Sequence, residues 1–158
     1  LLASSAASDV YKRQHLHEML NELIEALSKI VSIVQAQVLY IPNRSDAHSD
    51  HRAVFSAIMA CSKNFRYPFI EQILMCEVIS ETDFAPILGE NTFSPNYFID
   101  ISEVFIKKIE ILKMFGSELL PYPMTRNQSA IEALNRYRGT LINAEYAEAF
   151  MSIKTIVR

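Results

Sequence analysis

The sequence has few cysteines, no long apolar run and no concentration of positive charge. Its two cysteines, Cys61 and Cys76, lack the paired spacing of a metal knuckle, so they read as small buried hydrophobes in a reduced, cytoplasmic setting. No stretch of apolar residues reaches the length of a membrane span. Lysine and arginine form no stripe, and the net charge of -3 with a pI near 5.8 carries no electrostatic footprint of a nucleic-acid binder. Internal repeats are absent. What is there suits one soluble α/β domain: of 158 residues, 50% are apolar and 21% charged, enough for a real core and too apolar for disorder.

The first residues are set apart from fold reasoning. Ser4 to Gln14 read SSAASDVYKRQ, which resembles a sequencing adapter translated in one frame. Residues 1–14 are therefore expected to be an artefactual tail, with the natural chain starting near His15. Leu1-Leu2-Ala3 is too short for the apolar core of a signal peptide.

Past that tail, apolar residues fall at Leu16, Met19, Leu20, Leu23, Ile24, Leu27, Ile30, Val31 and Val34, the spacing of an amphipathic helix. Val38 to Ile41, closed by Pro42, predicts a short buried strand. Asn43 to Asp50 is loop-like. A second helix is expected from about His51 to Lys63, capped by Ser49 or Asp50. Ile73 to Ile79 predicts a second core strand, and Glu81 to Pro95 a long surface loop. Tyr97 to Ile99 is a short strand. Asp100 with Glu103 and Thr125 with Gln128 have capping-box spacing before two further helices, which are expected to stop at Gly116 and Gly139. For Glu145 to Ile156, periodicity allows a strand or a short helix. Helices alternating with buried strands predict a Rossmann-like three-layer αβα fold with a mostly parallel sheet.

Of the four histidines, His15 and His17 abut the tail at a helix start and are expected to be exposed and without function. His48 and His51 are placed differently. They lie three residues apart in Asp46-Ala47-His48-Ser49-Asp50-His51, at a loop-to-helix junction after a predicted parallel strand, where open α/β sheets gather ligands. The spacing lets both imidazoles face one side. Asp46 and Asp50 are interleaved, and a carboxylate beside an imidazole fixes its tautomer and raises its basicity. The helix N-terminus favours the neutral ring, the form that binds metal. A catalytic zinc site needs about three protein ligands and an open position, so the residues alone describe an incomplete metal or acid/base site. A helix-capping Asp/Ser cluster with two solvated histidines is the competing interpretation.

Tyr40-Ile41-Pro42 leading into Asp46-x-His48-x-Asp50-His51-Arg52-Ala53-Val54 resembles the second signature of the PIG-L/LmbE-type N-acetylglucosaminyl deacetylases. Three further stretches agree: Glu77-Val78-Ile79-Ser80-Glu81-Thr82, then Phe98-Ile99-Asp100-Ile101-Ser102 before a helix with Lys107 and Lys108, then Arg138-Gly139 with Glu145-Tyr146-Ala147-Glu148-Ala149-Phe150. The resemblance runs from about His15 to Arg158, as the C-terminal part of such a domain. It implies zinc as cofactor, His51 as metal ligand, His48 as the catalytic group meeting the developing oxyanion, Asp50 as its orienting partner, and Asp46 as an organiser of the loop. It implies hydrolysis of the acetamide of an N-acetylated sugar conjugate, with no nucleic acid and no membrane span involved. Oligomeric state is not implied. Ser49 stands where proline is usual. The family's N-terminal His-x-Asp-Asp-type signature, which supplies the other ligands and the general base, is not found before Asp46, so the N-terminal strands are expected to be missing and the chain by itself to be inactive.

Two other functions fit the same residues: an amide hydrolase with a non-sugar substrate, and a non-catalytic α/β binding module. The loop from Glu81 to Asn96 is expected to line the pocket, and Tyr122, Arg126 and Arg138 are candidates for sugar or phosphate contact. Without a first strand, the apolar faces of Val38 to Ile41 and of the Leu16 to Val34 helix would lack cover, an aggregation hazard. The chain made alone is thus expected to be poorly soluble. Thermal unfolding with light scattering checks this, and a sharp, reversible transition would count against it.

Overall fold

In the computed structural model, which describes residues 16–89 and 92–158, the first periodic segment forms helix α1 (Leu20–Val34), with Leu27 and Val31 buried on its inward face. The adapter-like segment and His15 lie outside the described residues. Leu16 to Met19 form a turn rather than helix. Gln35 ends α1 in the left-handed conformation, φ 51°, its N–H bonded to the Val31 carbonyl.

The chain divides into two compact units, one comprising residues up to Phe93 with Ser152–Arg158, the other Ser94–Met151. In the first unit, strand β1 (Val38–Pro42) buries Leu39 and Ile41 while Val38 and Tyr40 stay exposed. The predicted fully buried strand is therefore a half-buried one, with the period-2 burial of a strand covered on one face. Pro42 fits because it ends the strand, where its missing N–H does little harm. Helix α2 (Ser49–Ala60) packs on β1 and on α1. Strand β2 (Gln72–Cys76) pairs parallel with β1, from Val38 opposite Gln72 to Pro42 opposite Cys76. Its Ile73, Leu74 and Met75 are buried in succession, as an inner strand requires. An apolar cleft of about 300 Å³ lies among α1, β1 and α2, lined by Leu27, Val31, Leu39, Ile41, Val54 and Ile58.

Strand β2 stops short of the predicted Ile79. The Val78 N–H turns aside to the Thr82 hydroxyl at 2.9 Å, and the Val78 carbonyl accepts from the N–H groups of Glu81 and Thr82. Ser80 takes φ 76° to close that turn. Local side-chain bonding has displaced the ladder.

In the second unit, strand β3 (Tyr97–Asp100) pairs antiparallel with β4 (Ala147–Thr155), whose last residues belong to the first unit. The sheet order is β1-β2-β4-β3, so the sheet is mixed rather than purely parallel. The tail that periodicity left undecided is a strand, burying Ala147, Ala149 and Phe150.

Helix α3 (Phe105–Met114) begins later than its capping box predicts. Asp100 Oδ1 accepts instead from the Ser102 N–H at 2.9 Å and hydroxyl at 2.6 Å; these bonds hold its carboxyl below the usual range. Helix α4 (Gln128–Thr140) is capped by Asn127, which accepts from the Ala130 N–H at 2.9 Å, not by Thr125. Phe105 stacks on Tyr146 with ring centroids 3.8 Å apart, and Lys108 bridges Asn135 and Glu148.

Among the described residues no helix is long and apolar enough to cross a membrane. Cys61 and Cys76 form no disulfide; Cys61 is buried, and burial raises its thiol pKa.

Gly139 lies inside α4 rather than past its end. A Cβ there would meet the Ala144 carbonyl oxygen at 2.6 Å and Glu145 backbone atoms at 2.9 Å. Alanine is worth about 1 kcal/mol over glycine in a helix, but overpacking against backbone costs about 1–3 kcal/mol. Gly139→Ala is therefore expected to lower stability, seen as a fall in the urea midpoint at constant slope.

Candidate active site

Two loops leave the sheet at the same end, because β1 and β2 are parallel and in register. This is where a doubly wound sheet places ligands. The first loop carries Asp46 to His48 and runs into α2 with Asp50 and His51, and the second carries Glu77 to Thr82. They are tied by the Ala47 N–H donating to the Glu81 carbonyl at 2.9 Å.

Asp46 sits at the centre with no exposed surface. Its Oδ1 accepts from the Thr82 hydroxyl at 2.8 Å, and its Oδ2 lies 2.7 Å from His51 Nδ1. The backbone around it is held by Arg52, whose Nη1 donates to the carbonyls of Asp46 at 2.7 Å and Ala47 at 2.6 Å. The two hydrogens of one Nη1 amino group can satisfy two acceptors at once, so one side chain from the first turns of α2 fixes the preceding loop.

His48, not Ser49 or Asp50, caps α2: its Nδ1 accepts from the Asp50 N–H at 3.1 Å. An accepting Nδ1 places the proton of a neutral ring on Nε2. His51 is the reverse. Its Nδ1 faces a carboxylate and so donates, which leaves the Nε2 lone pair open. The two rings lie 5.4 Å apart, tilted by 31°. His48 is exposed, and the His51 side chain is 29% exposed. Neighbouring imidazoles thus present one N–H donor and one bare nitrogen.

The Asp50 interaction with His48 runs through the Asp50 backbone N–H. The Asp50 carboxylate has its Oδ1 buried without a partner, and Asn43 Nδ2 is in the same condition. A bare Nε2 with a carboxylate on the far ring nitrogen is the arrangement that supports a metal-bound histidine, so His51 has the chemistry of one such ligand. Among the described residues no group of three His, Cys, Asp or Glu side chains could hold a metal, so His51 would be one ligand of several.

The loop after β2 lines a cleft of about 180 Å³ with Glu77, Thr82, Asp83, Ile87 and Phe93 among its walls. Thr82 therefore belongs both to this cleft and to the Asp46 cluster. The other sequence candidates are not gathered there. His17 is exposed, 3.8 Å from Glu18. In the second unit Tyr122 is exposed, Arg126 pairs with Glu118, and the Arg138 guanidinium lies 5.4 Å from the Tyr137 ring centroid. Thr82 and Arg52 are the participants that sequence reasoning missed. Both stand inside the quoted motif stretches, and the rule that parallel strands end together could have joined them.

Arg52→Ala removes both bonds to the loop carbonyls. The expected loss is about 1–2 kcal/mol of unfolding free energy, with faster hydrogen exchange at the Ala47 amide. Arg52→Lys should recover only part, because the shorter-reaching, more strongly hydrated ammonium lacks the planar, pre-organised donor group of the guanidinium. Equilibrium unfolding and exchange by mass spectrometry check both variants.

No family model matches the chain. Solved structures that share its fold include these two. One is the N,N'-diacetylchitobiose deacetylase from Pyrococcus horikoshii, complexed with its inhibitor MPG, at 18% identity and a TM-score of 0.59, covering 84% of this chain and 51% of that one. The other is the conserved protein TT1542 from Thermus thermophilus, at 19% identity and a TM-score of 0.65, covering 87% of this chain and 60% of that one. The chain thus spans between half and two thirds of their length, and at this identity the likeness establishes a common fold.

Proposed function

We propose that Asp46 to His51 forms one half of a zinc-dependent amide-hydrolysing site of the PIG-L/LmbE type, which removes the acetyl group from an N-acetylglucosamine-type conjugate. The observation that carries this is the pair of opposed imidazoles, His51 offering a bare nitrogen and His48 an N–H, at the strand ends of a fold shared with a chitobiose deacetylase.

Zinc, when bound, lowers the pKa of a coordinated water to about 7 and polarises the acetamide carbonyl. His51 Nε2 would hold it, with Asp46 fixing the ring and adding basicity from the far nitrogen. His48 Nε2–H would donate to the oxygen of the acetamide as negative charge develops there. The Asp50 backbone N–H keeps His48 in the donating tautomer. Further ligands and the carboxylate that takes the water's proton would come from outside the described residues. The cleft beside Thr82 would receive the part of the conjugate beyond the acetamide.

The test uses the chain extended by its upstream coding sequence, loaded with zinc and given N,N'-diacetylchitobiose as probe. Acetate release is expected. His51→Ala should lose zinc. His48→Ala should keep zinc while kcat falls by about 10²–10³. Unchanged zinc stoichiometry in His51→Ala refutes the ligand role, and absence of acetate from the loaded protein refutes the deacetylase.

A further inference from the structure

Thr82 has a single hydroxyl proton, and its surroundings decide where that proton points. Its Oγ1 accepts from the Val78 N–H at 2.9 Å. The proton is therefore directed to Asp46 Oδ1 at 2.8 Å. Asp46 is fully buried, so a carboxylate oxygen that loses this donor has no water to turn to. The remaining oxygen faces His51 Nδ1 at 2.7 Å. Hydrogen bonds thus link the turn after β2 to the imidazole of α2 by converging on Asp46: Val78 N–H donates to Thr82, Thr82 O–H to Asp46 Oδ1, and His51 Nδ1–H to Asp46 Oδ2.

We infer that Thr82 is a positioning residue for His51: by fixing the Asp46 carboxylate, it keeps the His51 proton on Nδ1 and leaves Nε2 open. The orientation of the outward nitrogen is set from the turn after β2, a different element from the helix α2 that carries the histidine. A threonine that only closed the Val78 turn would affect stability and leave the His51 tautomer alone. A positioning threonine affects the tautomer as well. The inference rests on the zinc reading only for its metal arm, since tautomer and metal affinity are separate measurements.

The experiment is side-chain nitrogen NMR of His51 in the metal-free extended protein, followed up the pH scale until the ring is seen to be neutral, together with zinc titration of the same protein. Wild type should show Nδ1 protonated and Nε2 bare. Thr82→Val should shift His51 toward the Nε2-protonated form and weaken zinc by about 10–100-fold, the usual effect of losing such an outer partner. Thr82→Ser, which keeps the hydroxyl, should restore both. A wild-type His51 protonated on Nε2 overturns the inference without any substitution, so it stays testable even if Thr82→Val does not fold. A folded Thr82→Val with wild-type tautomer also overturns it. If the tautomer shifts in Thr82→Val but wild type binds no zinc, the positioning role is supported and the metal reading fails.

Discussion

A carboxylate without solvent has to be satisfied by what surrounds it, and Asp46 is such a group. Removing an isolated charge from water costs several kcal/mol in a relaxed protein interior, at order-of-magnitude level. The compensation is specific: a hydroxyl on one oxygen, an imidazole N–H on the other. Each donor comes from a different element, so the carboxylate is satisfied only when the loop after β1, the start of α2 and the turn after β2 are all in place. Arg52 and the Ala47 N–H hold the backbone in the same arrangement from two further directions. A local electrostatic demand thereby ties three elements into one rigid corner.

That corner exists because β1 and β2 are parallel and in register. Parallel pairing sends both chains out at one end, and the differing environments of the strands follow from their places in the sheet. β2 lies between β1 and β4 and buries three residues in succession. β1 has β2 as its partner among the described strands and buries alternate residues. Apolar pattern thus encodes position in the sheet, and position in the sheet decides which loops can meet.

Much of this was legible in the residues. The helix through Leu27 and Val31, the strands at Leu39 and Ile73, and the loop-to-helix junction bearing His48 and His51 all follow from periodicity and punctuation. What was not legible came from hydrogen bonds that local spacing cannot choose between. Asp100 had the spacing of a capping box but bonds Ser102. Asn127 rather than Thr125 caps α4. β2 is cut short because the Thr82 hydroxyl, not a ladder partner, takes the Val78 N–H. In the site itself the motif showed two imidazoles and two carboxylates but not their pairing. Asp46 is the carboxylate that meets an imidazole, and it meets His51; Asp50 meets His48 by its backbone. The second donor on Asp46 is Thr82, 36 residues beyond it and out of reach of any local pattern.

The consequence is an asymmetry in how firmly the two rings are held. His51 is bonded to a fully buried carboxylate that is itself bonded to a second strand's loop, so its ring is fixed through structure that must hold for the fold to hold. His48 is exposed and held by one backbone N–H of the helix it caps. A metal ligand gains from rigidity, because misplacement weakens the coordination bond. A hydrogen-bond donor to a developing charge needs only to be aimed, and an aimed ring at a helix start is already oriented by the backbone. Spacing three residues apart brings the rings together; their different anchors suit one ring to the proposed role of ligand and the other to that of donor.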